Sequence, residues 1–465
     1  MKLSVLVHNH TPNFLKPLLE RIECSPIAKR ITTGVFWSIL SYGVSKSLIF
    51  LAMILVARIL GPKAFGEFGF VKSTAQTFVT FSLFGMGLTA TKYIAELLPS
   101  DKDRLGRIIG LSYVFTCLSS LLVASAFWFA APLICESGLQ KPHLVGLLRL
   151  GAVLLFLMTF CMSQHGVLAG FQDFRGLAFS NIINSVIMVP IYVAGTYYWG
   201  LTGAVIGTVV AAALNAFINS VFIYRNTKRH AIRYRFLQAG RELSVLGRFS
   251  LPLVLKGVAW STALWGCQMM LGWQQDGSAQ LGIFYASMTI YAVIVAVPLA
   301  CTRPYIAALS EIHGKGNIKL LQKIVFMSFS TNIATATVIA LPFLLFPSPL
   351  MAWCFGEPFR EGSGTLALVS LQAILYAVSG VVDQIMVSSG KCWTNCGCTI
   401  TSAVTTLLVA SWAIPTWGSF GLALALLLGG CTRIILFVPI GYRLSREWNR
   451  SLDVPFNSYS PPRVD

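Results

Sequence analysis

The sequence predicts an all-α polytopic membrane protein with about twelve transmembrane helices arranged as two six-helix lobes. Residues are 55% hydrophobic and only 11% charged, whereas soluble domains carry roughly 25% charged residues. Apolar runs of about 20 residues, the length needed to cross a bilayer, recur along the whole chain. Lysine and arginine collect between alternate runs, so the net charge of +18 indicates membrane topology rather than nucleic acid as a partner.

The predicted helices are separated by Gly, Pro or charged residues. The first is followed by the turn Gly61-Pro62, and a lone Gly200 separates the fifth from the sixth. The twelve spans cover roughly 34–58, 68–90, 107–131, 145–168, 177–199, 201–224, 249–272, 281–305, 323–346, 365–388, 396–417 and 419–441.

The loop charges predict the orientation. Counted with the immediate helix ends, the two termini and alternate loops hold 26 Lys and Arg, and the opposite side holds five. Because basic residues mark cytoplasmic loops, we expect both termini in the cytoplasm and the helices in the cell (inner) membrane. Residues 1–30 contain no apolar core of the length of a cleavable signal peptide.

A basic segment in the middle of the chain divides it into two halves that begin in the same direction. Lys46 and Lys256 lie at nearly the same distance before Leu60-Gly61 and Leu271-Gly272, which end the first helix of each half. We therefore expect the two lysines to face each other across a cleft. The predicted division is an N-tail 1–30, an N-lobe 31–224, a linker 225–248, a C-lobe 249–441 and a C-tail 442–465.

Apart from the residues at helix ends already counted with the loops, four cations and one acid lie within the predicted spans. The cations are Lys46, Lys72, Lys256 and Arg433, and the acid is Asp383. A charged side chain within the bilayer costs at least ~2.5 kcal/mol unless it faces a polar interior. Because one carboxylate cannot neutralise four cations, an anionic substrate such as a pyrophosphate is the natural counter-charge. We predict that these four cations bind it.

Further polar side chains are candidates for lining the same cavity and for coupling transport to an ion. Gln372, Tyr376 and Asp383 recur at helical spacing and share one face of the tenth span. Asn181 and Asn184 lie in the fifth. Individually, such residues also serve as hydrogen bonds between membrane helices.

A second explanation stands for the charged residues nearest the predicted helix ends. Lys72, Lys256 and Asp383 lie within one or two turns of an end, so their charged groups can reach the interface by snorkelling. Lys46 and Arg433 lie deeper, and for them the cavity is the favoured location.

Motifs for catalysis or nucleotide binding are absent from the sequence. It contains no G-x-x-x-x-G-K-[ST], H-E-x-x-H or G-x-S-x-G pattern. Cys392, Cys396 and Cys398 have no companion histidine at a metal-site spacing. We expect no enzymatic activity, no cofactor and no metal, with energy supplied by an ion gradient, the membrane potential or the substrate gradient.

Three stretches carry a resemblance to a known family. A-R-I-L-G-P-K-A-F-G at 57–66, G-M-G-L-T-A-T-K-Y-I-A-E at 85–96 and G-F-Q-D-F-R-G at 170–176 resemble the polysaccharide exporter, or oligosaccharide (O-antigen type) flippase, family of the MATE-like exporter superfamily. The resemblance implies alternating access that moves a polyprenyl-pyrophosphate-linked oligosaccharide across the membrane for polysaccharide synthesis. It implies membrane lipids, a glycan polymerase and a chain-length regulator as further partners, and it does not single out the lysines.

Two other functions are compatible with a polytopic chain. A MATE-type ion-coupled antiporter of small cations needs acids in the N-lobe cavity, and the first six predicted spans contain none. A membrane-embedded glycan transferase or polymerase needs a large outer loop with acids, Arg or His. The longest, 347–364, has only Glu357, Arg360 and Glu361.

Overall fold

A computed structural model describes residues 26–98, 100–234, 245–299, 318–388 and 391–452, which fold almost entirely into α-helices. Most of the predicted N-tail, the middle of the predicted linker and the end of the predicted C-tail lie outside these residues. Within the described ranges, helix continues into the predicted linker from both sides, to Arg229 and again from Val245.

The first half of the chain contains six long helices. The first two form one element, α1, which is interrupted at Gly61 with φ 70° and ψ 174°, a backbone that glycine adopts without steric cost. Pro62 then starts the second stretch, where its missing N–H is not needed. The elements are α1 Pro26–Leu83, α2 Met86–Leu97, α3 Lys102–Pro132, α4 Val145–Gly170 and α5 Phe174–Arg229, which is interrupted at Gly200. The stretches before and after each interruption are called α1a, α1b, α5a and α5b.

The second half repeats this plan. Its elements are α6 Val245–Gly272, α7 Gly277–Ile294, α8 Ile318–Leu345, the short α9 Pro347–Phe355, α10 Ser363–Ser388 and α11 Cys392–Leu452. The last is interrupted at Gly418, with φ 53°, and divides into α11a and α11b.

Among the described residues, eight helical segments are long and apolar enough to cross a membrane. Three of them, Ser41–Leu83, Arg175–Arg229 and Cys392–Phe437, contain 43, 55 and 46 residues and are interrupted at a glycine, so each is long enough for two crossings. With the 28 residues of α6, the described chain holds twelve helices of sufficient length. The predicted all-α polytopic membrane fold is confirmed.

The helices of each half pack mainly on one another, and the two halves meet where α1 lies against α6 and α7. Glycines permit the closest part of this contact: a Cβ on Gly66 would collide with the Ser278 backbone, and one on Gly282 with the Pro62 backbone. Small residues at such crossings are typical of membrane helix packing.

One end of the bundle carries the three glycine interruptions and a ring of exposed aromatic side chains. We call it the turn end, and it corresponds to the predicted outer side. Aromatic belts of this kind mark the membrane–water interface. Its exposed aromatics include Tyr197, Tyr198, Trp199, Trp273, Trp353, Trp412 and Trp417.

Candidate functional site

A cavity of about 510 Å³ lies between α1 on one side and α6 and α7 on the other. Its wall is largely apolar and aromatic, with a row of hydroxyl and amide groups and two lysines, Lys46 and Lys72. No Asp or Glu is among the described residues that line it. The uncharged polar groups of the wall are Ser73, Gln76, Thr77, Thr80, Ser261, Gln268 and Thr289.

Lys46 and Lys72 approach this central cavity from the two successive stretches of α1. The Lys46 ammonium lies 5.2 Å from the centre of the Tyr42 ring, within range of a cation–π contact. Lys72 is ten residues past Pro62, so it lies about 15 Å along α1b from the start of that helix. The predicted span placed Lys72 near an interface because it began at residue 68. The helix itself places the ammonium well inside, where it shares a cavity with Lys46.

Hydrogen bonds between α1b and α6 join the lobes beside the cavity. Ser73 Oγ donates to Gln268 Oε1 at 2.5 Å, and the Trp265 indole donates to Thr74 Oγ1 at 3.2 Å. Further along the same pair of helices, the hydroxyls of Thr80 and Ser261 lie 3.3 Å apart. These polar side chains form hydrogen bonds with one another across the interface. The two lysines are the charged groups of the cavity wall.

The other two predicted cations lie together in the second lobe. Arg433 Nη2 donates to both oxygens of Asp383, at 2.5 and 2.7 Å. Lys256 Nζ lies 3.1 Å from Asp383 Oδ1. The exposed fraction of the side chain is 12% for Arg433, 23% for Asp383 and 21% for Lys256. The cluster thus joins α6, α10 and α11b, and carries one net positive charge.

Aromatic rings enclose this Lys256–Asp383–Arg433 cluster. The guanidinium of Arg433 lies 5.3 Å from the centre of the Phe437 ring. Tyr376, one of the predicted cavity residues, interacts electrostatically with Asp383 and Arg433, and its ring stacks edge-on against Tyr291 of α7 at 6.0 Å. Two members of the predicted stripe on α10, Tyr376 and Asp383, thus lie at the cluster.

The remaining predicted polar residues do not line the central cavity. Gln372 is buried, and its Oε1 has no hydrogen-bond partner within the described part of the chain. The same holds for Oδ1 of Asn184 in α5a, where the Asn181 carbonyl accepts from Ser185 Oγ at 2.8 Å. A direct role for these three residues in substrate binding stays a prediction.

Contacts between the lobes close the turn end of the cavity. Ser278 Oγ donates to Glu67 Oε1 at 3.1 Å, and His143 Nε2 lies 3.2 Å from the same oxygen. Lys141 Nζ donates to Ser278 Oγ at 2.6 Å and to the Gly272 carbonyl at 3.1 Å. We call Glu67, Lys141, His143 and Ser278 the outer closure, since they fasten α1b and the α3–α4 loop to the start of α7.

One further contact strengthens this closed end, whereas the burial of Lys141 opposes it. Arg58, at the end of α1a, donates to the carbonyl oxygens of Trp353 and Cys354 in α9. Burial lowers the pKa of the Lys141 amine from its usual value, and Lys63 acts in the same direction while Glu67 opposes it. The amine is therefore held at a position that is costly for its charged form.

Glu67 is the residue that the sequence analysis missed. The Gly-Pro pair before it was interpreted as a turn continuing to residue 67, but the helix resumes at Pro62 and places Glu67 within α1b, with its side chain only 7% exposed. The statement that the first six helices contain no acid is therefore wrong. Proline at the first helical position was the signal that would have placed it.

No group of three or more His, Cys, Asp or Glu side chains that could hold a metal ion occurs among the described residues. The site is instead a cavity with two cations, next to an ion-paired cluster and a hydrogen-bonded outer closure.

Residues 31–310 match a family model described as "Polysaccharide biosynthesis protein". The chain is 22% identical to the EPS I polysaccharide export inner membrane protein EpsE of Ralstonia nicotianae, over 76% of this chain and 79% of that protein. It is 22% identical to stage V sporulation protein B of Bacillus subtilis, over 83% and 78%. It is 27% identical to the lipid III flippase of Escherichia coli, over 34% and 38%.

Solved structures show the same fold. An inward-facing multidrug resistance MATE family transporter of the MOP superfamily superposes with a TM-score of 0.71 at 15% identity, over 86% of this chain and 95% of that one. A MOP superfamily transporter from Pyrococcus furiosus superposes with a TM-score of 0.65 at 15% identity, over 89% and 96%. The twelve helices are therefore arranged as in MATE transporters.

Proposed function

The chain belongs to the polysaccharide biosynthesis protein family, and we propose that it is a flippase that moves a polyprenyl-pyrophosphate-linked oligosaccharide across the cytoplasmic membrane by alternating access. The observation that carries this proposal is the central cavity, where Lys46 and Lys72 share a wall without any lining acid. Two ammonium groups in a poorly hydrated space need a counter-charge. A pyrophosphate supplies one, and lysine suits it as a compact point charge.

The cation–anion cluster of the second lobe adds to the positive field without presenting a bare charge. Asp383 neutralises one of the two cations with which it pairs, so the cluster contributes one net charge toward the cavity. We propose that Lys256 and Arg433 attract the passenger through this residual charge, while Lys46 and Lys72 contact it directly. In this division of roles, Asp383 keeps the cations in place when the cavity is empty.

The outer closure supports an alternating-access cycle. In this conformation the lobes are fastened at the turn end by Glu67, Lys141 and Ser278. For the oligosaccharide to leave on the outer side, these hydrogen bonds break and the helices separate there. Each bond involves a charged group and is worth about 1.5–3 kcal/mol net, which is comparable with the roughly 2.3 kcal/mol per charge moved that a membrane potential of 100 mV supplies, so opening does not require nucleotide hydrolysis.

The orientation follows from the charge bias of the loops. We propose that both termini are cytoplasmic, that the turn end faces outward, and that this conformation receives substrate from the cytoplasmic side. The partners of the assembled pathway would be the lipid-linked oligosaccharide, the surrounding lipids, a glycan polymerase and a chain-length regulator.

A cation antiporter is the weaker alternative. Such a transporter would benefit from a carboxylate in the first lobe, and Glu67 is one. Glu67, however, does not line the cavity and is engaged with His143 and Ser278. A cavity whose charged side chains are both cationic favours an anionic passenger.

Complementation tests the proposal. A strain that lacks its own flippase for a surface polysaccharide, and accumulates the lipid-linked repeat unit, receives this gene with a matching set of glycosyltransferases. We expect surface polysaccharide to return and the lipid-linked intermediate to fall. Restored resistance to cationic drugs with no change in the intermediate would support the antiporter instead.

A further inference from the structure

A second pocket, of about 400 Å³, lies between the beginning of α5a and the end of α5b. It shares no lining residue with the central cavity. Three of its lining residues are arginines: Arg175, Arg225 and Arg229, each with an exposed side chain. Phe179 and Phe222 are its aromatic lining residues. A pocket with this composition is suited to an anion that carries an apolar tail.

Local hydrogen bonds fix the shape of the pocket. Asp173 is the one acid among its lining residues, and both of its oxygens are used. Oδ1 accepts from the Gly176 N–H and Oδ2 from Asn226 Nδ2, each at 2.9 Å. The carboxylate therefore joins the start of α5a to the end of α5b. Beside it, the Arg175 guanidinium lies 5.6 Å from the centre of the Phe179 ring, which orients it at the rim.

Exposed apolar side chains continue from this arginine pocket along the same helix faces. On α5a, residues at a spacing of three or four follow Arg175 toward Gly200, and on α5b a matching row precedes Arg225. At this spacing the side chains lie on one face of each helix. The exposed members are Phe179, Ile183, Val186 and Ile187 on α5a and Val210, Phe217 and Val221 on α5b. They form two apolar stripes within a segment long enough to span the membrane.

We propose that the arginine pocket binds the phosphate headgroup of an anionic glycerophospholipid, whose acyl chains lie along the two stripes. Arginine binds phosphate oxygens with paired N–H donors, and each basic residue near an anionic membrane surface contributes about fivefold to affinity. The pocket lies at the end opposite Gly200, so the lipid would come from the cytoplasmic leaflet. Only that leaflet assignment rests on the orientation proposed above.

Lipid binding to the purified full-length chain tests this. Native mass spectrometry from detergent follows the titration with phosphatidylglycerol and with phosphatidylcholine of the same acyl chains. The test variant is Arg225→Gln/Arg229→Gln. The matched control is Lys228→Gln/Arg233→Gln, which removes the same charge from exposed neighbours that do not line the pocket. The single variant Arg229→Gln provides a second measurement if the double variant folds poorly.

We expect wild type to prefer phosphatidylglycerol, the test variant to bind it roughly 25-fold more weakly, Arg229→Gln about fivefold more weakly, and the control to stay within about twofold. Equal binding of the two lipids would overturn the proposal, as would equal losses in the test and control variants. Displacement of phosphatidylglycerol by an equal concentration of glycerol phosphate would indicate a soluble-anion site instead.

A last experiment distinguishes this site from the proposed transport site. Farnesyl pyrophosphate imitates the anionic end of the proposed substrate. Farnesyl pyrophosphate could displace phosphatidylglycerol from wild type at a concentration far below that of the phospholipid, and fail to do so from Arg225→Gln/Arg229→Gln. The pocket would then be a substrate site rather than a phospholipid site. Lys46→Gln/Lys72→Gln should bind phosphatidylglycerol like wild type, because neither lysine contacts the pocket. Weaker binding of phosphatidylglycerol by this lysine variant would contradict the independence of the two sites.

Discussion

Arg433 donates to both carboxylate oxygens of Asp383, which lies 50 residues earlier in the chain and on the neighbouring helix. Lys256 pairs with the same carboxylate, whereas Lys46 and Lys72 share a cavity wall that contains no acid. The four cations predicted within the membrane thus fall into two sets. One set is held by an internal counter-charge, and the other is the set that we propose binds an anionic substrate.

The Lys256–Asp383–Arg433 cluster predicts an asymmetric effect on stability. Asp383→Asn leaves two cations without a counter-charge, whereas Arg433→Gln leaves an intact Lys256–Asp383 pair. Removing one partner of a buried ion pair costs about 3–5 kcal/mol, and partial exposure reduces this figure. We expect Asp383→Asn to melt at a clearly lower temperature than Arg433→Gln, measured by fluorescence-detected size-exclusion chromatography after heating. Equal melting temperatures, or a lower one for Arg433→Gln, would contradict the pairing.

The outer closure predicts a shift in conformation. Glu67→Gln replaces the carboxylate that lies beside His143 and accepts from Ser278 with a weaker, neutral acceptor, so we expect the turn end to open more often. A single cysteine at Ser73, in the cavity wall, should then react faster with a membrane-impermeant thiol reagent added outside, by about threefold or more. The control is Arg360→Gln, which breaks an exposed pair with Glu357 on the same side. An equal increase in both variants would rule out a specific closure.

The same assay should depend on pH through Lys141. Burial lowers the pKa of its amine in the closed conformation, while an opened, hydrated Lys141 would regain the ordinary value of about 10.4. The open state therefore binds more protons, and the closed state gains stability as pH rises toward that value. We expect slower labelling of Ser73→Cys from outside at pH 10 than at pH 8, after correction for thiol ionisation with a free-cysteine standard. Lys141→Met should abolish this difference; if the difference persisted unchanged, another group would be responsible.

The loop charges predict which side each end faces. A single cysteine at Glu357, on the exposed turn end, should be labelled from outside in intact cells. One at Lys228, on the exposed opposite end, should be labelled only after permeabilisation. The native cysteines are replaced beforehand. The reverse pattern would invert the proposed direction of transport.

Apolar run length and turn residues were sufficient to predict the twelve helices. The interruptions at Gly200 and Gly418 fall at the predicted boundaries, because a lone glycine between two apolar runs is a strong local signal. The first interruption was misjudged: Gly61-Pro62 was interpreted as a longer turn, although the proline begins a helix. That error placed Lys72 too near an interface and left Glu67 outside the helix.

The arrangement of the site could not be predicted in the same way. Depth along a helix follows from counting residues, and it predicted Lys46 and Arg433 as deep cations, of which Lys46 lines the central cavity. Which acid neutralises which cation depends on how distant helices pack, and nothing in a single sequence connects Asp383 with Arg433. The outer closure could not be predicted for the same reason. Glu67 and Ser278 are 211 residues apart and meet only because glycines let α1b and α7 approach closely.

The central claim is that Lys46 and Lys72 bind the anionic group of the passenger. Charge should then matter more than shape, so Lys46→Arg should retain more activity than Lys46→Gln, which has similar length and no charge. The most direct measurement is transbilayer movement of a fluorescent pyrophosphate-linked oligosaccharide lipid in proteoliposomes with equal amounts of each variant. We predict that Lys46→Gln and Lys72→Gln each slow it at least about tenfold, consistent with the loss of a hydrogen bond to a charged group, while Lys46→Arg stays within a few-fold of wild type. Wild-type rates for Lys46→Gln/Lys72→Gln would contradict the account.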